Sequence, residues 1–222
     1  MFSANDFGSG SSVSQTGPVS GNVNNYFGDS SSSEQDVCDI LFTSNPTSDR
    51  ENLRGEKGDR VPGTCEWVLE HEIYKAWLKS TLSSLWLTEQ PGMGKTMIAL
   101  HIIDSLERQV KVSSGILLYF FCSYRHRNNN TGTSVLRSLL WQLFLRMPNL
   151  KKHAIEALQD SNRKIALASE DRLWKIFHDV ISGPSVPQIT CVLDGIDEVK
   201  AVHDTSFSRN YSHCVQRVRM PS

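Results

Sequence analysis

From Leu85 the chain reads Leu-Trp-Leu-Thr-Glu-Gln-Pro-Gly-Met-Gly-Lys-Thr, ending at Thr96. A short apolar run, Leu85 to Leu87, stops at a turn rich in Pro and Gly, and Lys95 and Thr96 then open an amphipathic segment. That order predicts strand, glycine loop and helix, the build of a phosphate-binding loop. Small residues let backbone N–H groups curl around phosphate oxygens, and the helix N-terminus adds partial positive charge. The candidate nucleotide-binding residues are Glu89, Gln90, Pro91, Gly92, Met93, Gly94, Lys95 and Thr96. Lys95 would reach the β- and γ-phosphates, and Thr96 would offer its hydroxyl to Mg²⁺. The pattern G-x-x-x-x-G-K-[ST] is broken at its first position, where Glu89 replaces glycine. A carboxylate there sits near a polyphosphate, and the turn loses glycine's backbone freedom.

A second half-site supports the first. Ile189-Thr190-Cys191-Val192-Leu193 is a β-branched, apolar run that reads as a buried parallel strand. It ends in Asp194-Gly195-Ile196-Asp197-Glu198. An acidic cluster at the carboxyl end of such a strand suits a Mg²⁺-assisted phosphate site. Asp194 would hold the metal, directly or through water, alongside Thr96. Asp197 or Glu198 would orient the attacking water as the catalytic carboxylate.

The 222 residues allow one to two domains, and a formal net charge of -1 provides no field for nucleic acid or an anionic membrane. No apolar run approaches transmembrane length, and the first residues lack the plan of a signal peptide. Five scattered cysteines without metal-ligand spacing fit a reducing, cytoplasmic location. Cys122 and Cys191 fall in predicted strands and read as buried thiols.

Residues 1–35 are rich in Ser, Gly and Asn and contain no Lys or Arg, so the primary expectation is disorder. Within them Val13, Gln15, Gly17, Val19, Gly21, Val23, Asn25 and Phe27 alternate with other uncharged residues, a pattern compatible with cross-β stacking that Pro18 opposes. Residues 36–63 read as a linker with a short helix near Asp49–Leu53. A helix is expected after Thr64 as N-cap, with Leu69, Ile73, Ala76 and Trp77 on one stripe. Trp67 and Trp77 read as core aromatics. The helix from Lys95 to about Glu107 carries Ile98, Ala99, Ile102, Ile103 and Leu106 inward and leaves His101 at the surface. Gly115–Cys122 reads as a strand, and its exit loop carries Arg125, His126 and Arg127, which could meet a γ-phosphate or simply be solvated. Helices are expected over Thr133–Met147, Lys151–Gln159 and Ser169–Ile181 before the Asp194 strand. The alternation implies an α/β fold, a parallel sheet flanked by helices, over residues 64–200. Residues 201–222 show no pattern and read as an irregular tail.

With these motifs in order, the chain resembles the N-terminal half of a fungal NACHT-type NTPase of the STAND class of NOD-like receptors, also classed with the nephrocystin-type N-terminal region. The resemblance is carried by Gly63-Thr64-Cys65-Glu66-Trp67 with Trp77, by the loop through Thr96, and by Tyr119-Phe120-Phe121-Cys122. Leu136-Arg137-Ser138-Leu139-Leu140 and Val192 to Glu198 complete it, and it spans about residues 37–200. It implies a P-loop NTPase core, Mg²⁺ with ATP or GTP, and the family's Walker B role for Asp194. It also implies a switch that opens on sensing a ligand, homo-oligomerises through its core, and signals non-self recognition or programmed cell death. Residues 58–64 become candidates for gripping the base. In the tail, Gln15-x-Gly17 with Gly21-Asn22-Val23 resembles a sigma segment, a prion-like motif that would template assembly once tails are brought together. The stretch after Glu198 departs from the family, so the core is expected to be incomplete, as in a truncated or mis-translated product. The competing reading is a non-enzymatic, degenerate core whose tail drives assembly.

Overall fold

The computed structural model describes residues 37–79, 84–123, 129–159, 163–199 and 215–219. The alternating tail therefore lies outside the described residues, as do Arg125, His126 and Arg127.

A helical turn over 37–41 buries Val37, Cys38 and Leu41 against the core. Helix α1 (Pro46–Lys57) follows, longer than the short helix expected within a linker. Asn45 starts it, its side chain accepting the Thr47 and Ser48 N–H groups, and Gly58 at φ 79° ends it. The single helix expected after Thr64 is two, α2 (Glu66–Glu70) and α3 (Glu72–Lys79). His71 breaks the run with an extended backbone, and its Nδ1 accepts the Ile73 N–H at 3.2 Å. The imidazole thus competes with the backbone acceptors that would have continued the helix. Thr64 is not an N-cap, because its hydroxyl donates to the Val61 carbonyl at 2.6 Å.

Strand β1 (Ser84–Thr88) leads into helix α4 (Lys95–Ser113), and strand β2 (Ile116–Phe121) into helix α5 (Gly132–Arg146). The Thr131 hydroxyl caps α5, and Pro148 opens a 3₁₀ turn just beyond its end. Helices α6 (Lys152–Gln159), α7 (Arg163–Ala168) and α8 (Glu170–Ile181) follow, α7 having no counterpart in the expected order. Strand β3 (Ile189–Asp194) pairs parallel with β2, from Ile116 opposite Ile189 to Phe121 opposite Asp194. Inside the stretch read as irregular, β4 (Val215–Arg219) pairs parallel with β1. The architecture is mixed α/β, with two parallel strand pairs among helices.

Strand β2 divides the core because successive side chains point to opposite faces. Ile116, Leu118 and Phe120 pack with α5 and α8, through Leu136, Leu140, Leu143 and Phe177. Leu117, Tyr119 and Phe121 pack with Ile98, Ile102, Ile103 and Leu106 of α4 and with Val68 and Tyr74. Burial on both faces is what a continuous apolar run requires. Polar side chains also enter this core, Ser138 and Gln142 of α5 among them. Gln142 of α5 accepts the Tyr119 N–H at 3.2 Å and donates to the Tyr119 carbonyl at 2.9 Å, satisfying backbone groups of β2. Across the other layer, Arg50 of α1 pairs with Asp104 and Glu107 of α4, and Arg54 also reaches Asp104.

Candidate functional site

The loop joining β1 to α4 is shaped by two glycines in left-handed conformation, Gly92 at φ 85° and Gly94 at φ 80°. A side chain at either position would be strained. Gly94 is the N-cap of α4 and no side chain caps this terminus, so its N–H groups are left for another acceptor. Met93 is more than half exposed, and its N–H donates weakly to the Gln90 carbonyl at 3.4 Å. Lys95 turns back on the loop, its ammonium donating to the Glu89 carbonyl at 2.9 Å and to that of Gln90 at 3.4 Å. The Glu89 carboxylate accepts the N–H of Gln90 at 3.0 Å.

The end of β3 is built on a close approach. Asp194 pairs with Phe121, and its carbonyl accepts the Cys122 N–H at 2.8 Å. Gly195 then takes φ 69°, and a Cβ there would lie 2.8 Å from the Cys122 carbonyl oxygen. Only glycine satisfies both the dihedral and the space. The chain next forms a 3₁₀ turn, Ile196–Glu198, closed by the Glu198 N–H on the Gly195 carbonyl at 2.8 Å. Asp194, Asp197 and Glu198 are thereby gathered at one strand end.

Burial pushes the Asp194 carboxyl above the usual carboxylate range; the nearby Thr96 hydroxyl opposes the shift, while the charges of Glu198 and Asp197 reinforce it. Helix α4 packs against β3, so the loop–helix half-site lies beside the strand-end half-site. Both open on one cleft of about 530 Å³, which Glu89 and Lys95 line from the loop and Asp194 and Asp197 from the strand end. Apolar side chains also line it, including Trp77, Trp86 and Ile98, residues that the motif spacing had not assigned to the site. Cys191 also lines it and is exposed, contrary to its reading as a buried thiol, because its strand borders the cleft. Cys122 is buried as expected, and burial, with the nearby carboxylates, pushes its thiol up and holds it protonated.

The donor set suits a polyphosphate with a hard cation. Helix-terminal N–H groups and one ammonium could receive an anion, and a hydroxyl beside a partly buried carboxylate offers oxygen only. Among the described residues no group of three or more His, Cys, Asp or Glu could hold a metal, so a cation here would draw part of its shell from ligand oxygens or water. Pro91, Gly92, Met93 and Gly94 are exposed and shape the loop without lining the cleft. In the 58–64 segment, Arg60 is tied to Glu66 at 3.2 Å and does not line the cleft, and neither does any other residue of that segment. His101 is half-buried rather than a surface residue, and its Nε2 is fully enclosed without a hydrogen-bond partner. Among the described residues no helix is long and apolar enough to cross a membrane.

With this geometry in place, the comparisons with known proteins fall on the same region. The family model described as Nephrocystin 3, N-terminal matches residues 63–220, a span that reaches past both half-sites to include β4. The chain is 27% identical over 167 residues to the vegetative incompatibility protein HET-E-1 of Podospora anserina. The aligned stretch covers 73% of this chain but only 12% of that protein. No solved structure matches the chain. Since the family model takes in well over half of the sequence, this chain belongs to the Nephrocystin 3, N-terminal family.

Proposed function

We propose that the chain is a NACHT-type, P-loop nucleotide-binding switch module of a fungal NOD-like receptor. The observation that carries this reading is the single cleft that Glu89 and Lys95 of the glycine loop share with Asp194 and Asp197 of the acidic strand end. Gly92 and Gly94 hold the loop open to a phosphate chain, the first N–H groups of α4 and the Lys95 ammonium bind its oxygens, and Gln90, Pro91 and Met93 complete the rim. Thr96 and Asp194 hold Mg²⁺, which when bound neutralises phosphate charge. Asp197 or Glu198 accepts a hydrogen bond from water and orients it, giving slow hydrolysis of ATP or GTP. The relative from Podospora anserina is a vegetative incompatibility protein, which suggests for this chain a role in non-self recognition; a cytoplasmic homo-oligomer that signals programmed cell death is part of the same proposal.

The test is thermal melting of the chain with Mg·ATP and with Mg·GTP. A rise in Tm with either, lost in Lys95→Ala, supports the reading. A Tm that neither nucleotide moves overturns it. The charge-free alternation over residues 13–27 favours one companion activity, templated assembly through the sigma-like tail. Residues 1–33 as a peptide should then form fibres with a cross-β diffraction pattern, and a peptide that stays monomeric removes that activity.

A further inference from the structure

Glu89 stands at the entry of the loop, where its carboxylate meets one loop N–H and its main-chain carbonyl meets the Lys95 ammonium. Its carboxylate is within 3.0 Å of the Gln90 N–H, and Lys95 donates to the carbonyls of Glu89 and Gln90. The acid and the base of the loop are therefore both engaged at one two-residue corner. An anionic oxygen held against a loop N–H is what a bound phosphate would itself present. The cleft adds to the effect. Of its described lining residues, Glu89, Asp194 and Asp197 carry carboxylates and Lys95 alone carries an ammonium. A free polyphosphate entering such a site meets more negative than positive charge, whereas its Mg²⁺ complex carries less net charge and is repelled less.

We propose that Glu89 acts as a tethered anion that competes with phosphate for the loop, lowering the affinity of the site and making it depend on a divalent cation. The inference rests on the phosphate-binding reading of the loop. It makes Glu89 a residue that selects the metal-complexed polyphosphate over the free one.

Binding of pyrophosphate and of ATP to the full chain by calorimetry, with excess Mg²⁺ and with EDTA, tests it in the parent, Glu89→Gln, Glu89→Ala and Lys95→Ala. Far-UV circular dichroism shows which variants are folded. Removing the charge should tighten binding about tenfold, the size expected for one hydrogen bond to a charged group. The gain should be larger in EDTA. If neither Glu89 variant binds more tightly than the parent while Lys95→Ala loses binding, the loop still takes phosphate and the role of Glu89 falls. If Lys95→Ala binds as the parent does, or no form binds, the phosphate reading fails and this inference fails with it.

Discussion

The Thr96 hydroxyl stands beside the Asp194 carboxylate, setting the second residue of α4 against the last residue of β3. Thr96→Ala leaves that partly buried carboxylate without its neighbouring hydroxyl. The expected loss is about 1–2 kcal/mol of stability, together with loss of the Tm rise given by Mg·nucleotide. Thr96→Ser keeps the hydroxyl and should restore both. Melting curves of the two variants with and without ligand decide the matter, and equal nucleotide shifts in Ala and Ser would separate this hydroxyl from binding.

The contact of Gly195 with Cys122 makes the strand end intolerant of any side chain. In Gly195→Ala the new methyl would lie 2.8 Å from a backbone carbonyl at a positive φ, so the turn carrying Asp197 and Glu198 must shift. Destabilisation of about 2–4 kcal/mol is expected, from the dihedral and the clash together. Chemical denaturation reads it directly. A loss under about 0.5 kcal/mol, the range of an indifferent surface substitution, would mean that the approach is looser than described.

Arg50, only 8% exposed, pairs with Asp104 and Glu107 and so ties α1 to α4. Its removal leaves Asp104 with Arg54 alone and takes the guanidinium away from Glu107. Arg50→Ala should cost about 2–3 kcal/mol, and Arg54→Ala, at a side chain 43% exposed, less than about 1 kcal/mol. Comparable losses in the two variants would show that burial of Arg50 adds nothing to the pairing.

Much of this arrangement is written in local pattern. The apolar run of β2, the stripes of α4, α5 and α8, and the glycines of the loop each follow from residues that are neighbours in sequence. What escaped depends on partners far along the chain or on a side chain rivalling the backbone. His71 splits one apolar stripe into two helices by accepting the Ile73 N–H. Gln142 looks like a polar interruption of α5 until Tyr119 lies beside it. The pairing of β4 with β1 was hidden because Val215-Gln216-Arg217-Val218-Arg219 lacks an apolar run. At the site, the motif residues were legible, but the apolar lining by Trp77 and Trp86 was not, since no spacing rule relates α3 to β1.

His101 carries a pH-dependent consequence of its half-buried position. Burial lowers its pKa, the Arg60 charge acts in the same direction, Asp104 and Glu66 oppose it, and Arg108 adds to the lowering. The folded pKa therefore lies below the unfolded value of about 6.5. Between those two values the unfolded chain binds a proton that the folded chain does not, so stability falls as pH drops below about 6.5 and levels off below the folded pKa. Above about 6.5 both states are neutral and this residue contributes no pH dependence. His101→Gln should flatten the profile between about pH 7.5 and 5.5, a window above the ordinary carboxylate range. Urea midpoints measured across that window give the answer. A slope that persists unchanged in His101→Gln would assign the effect to other groups.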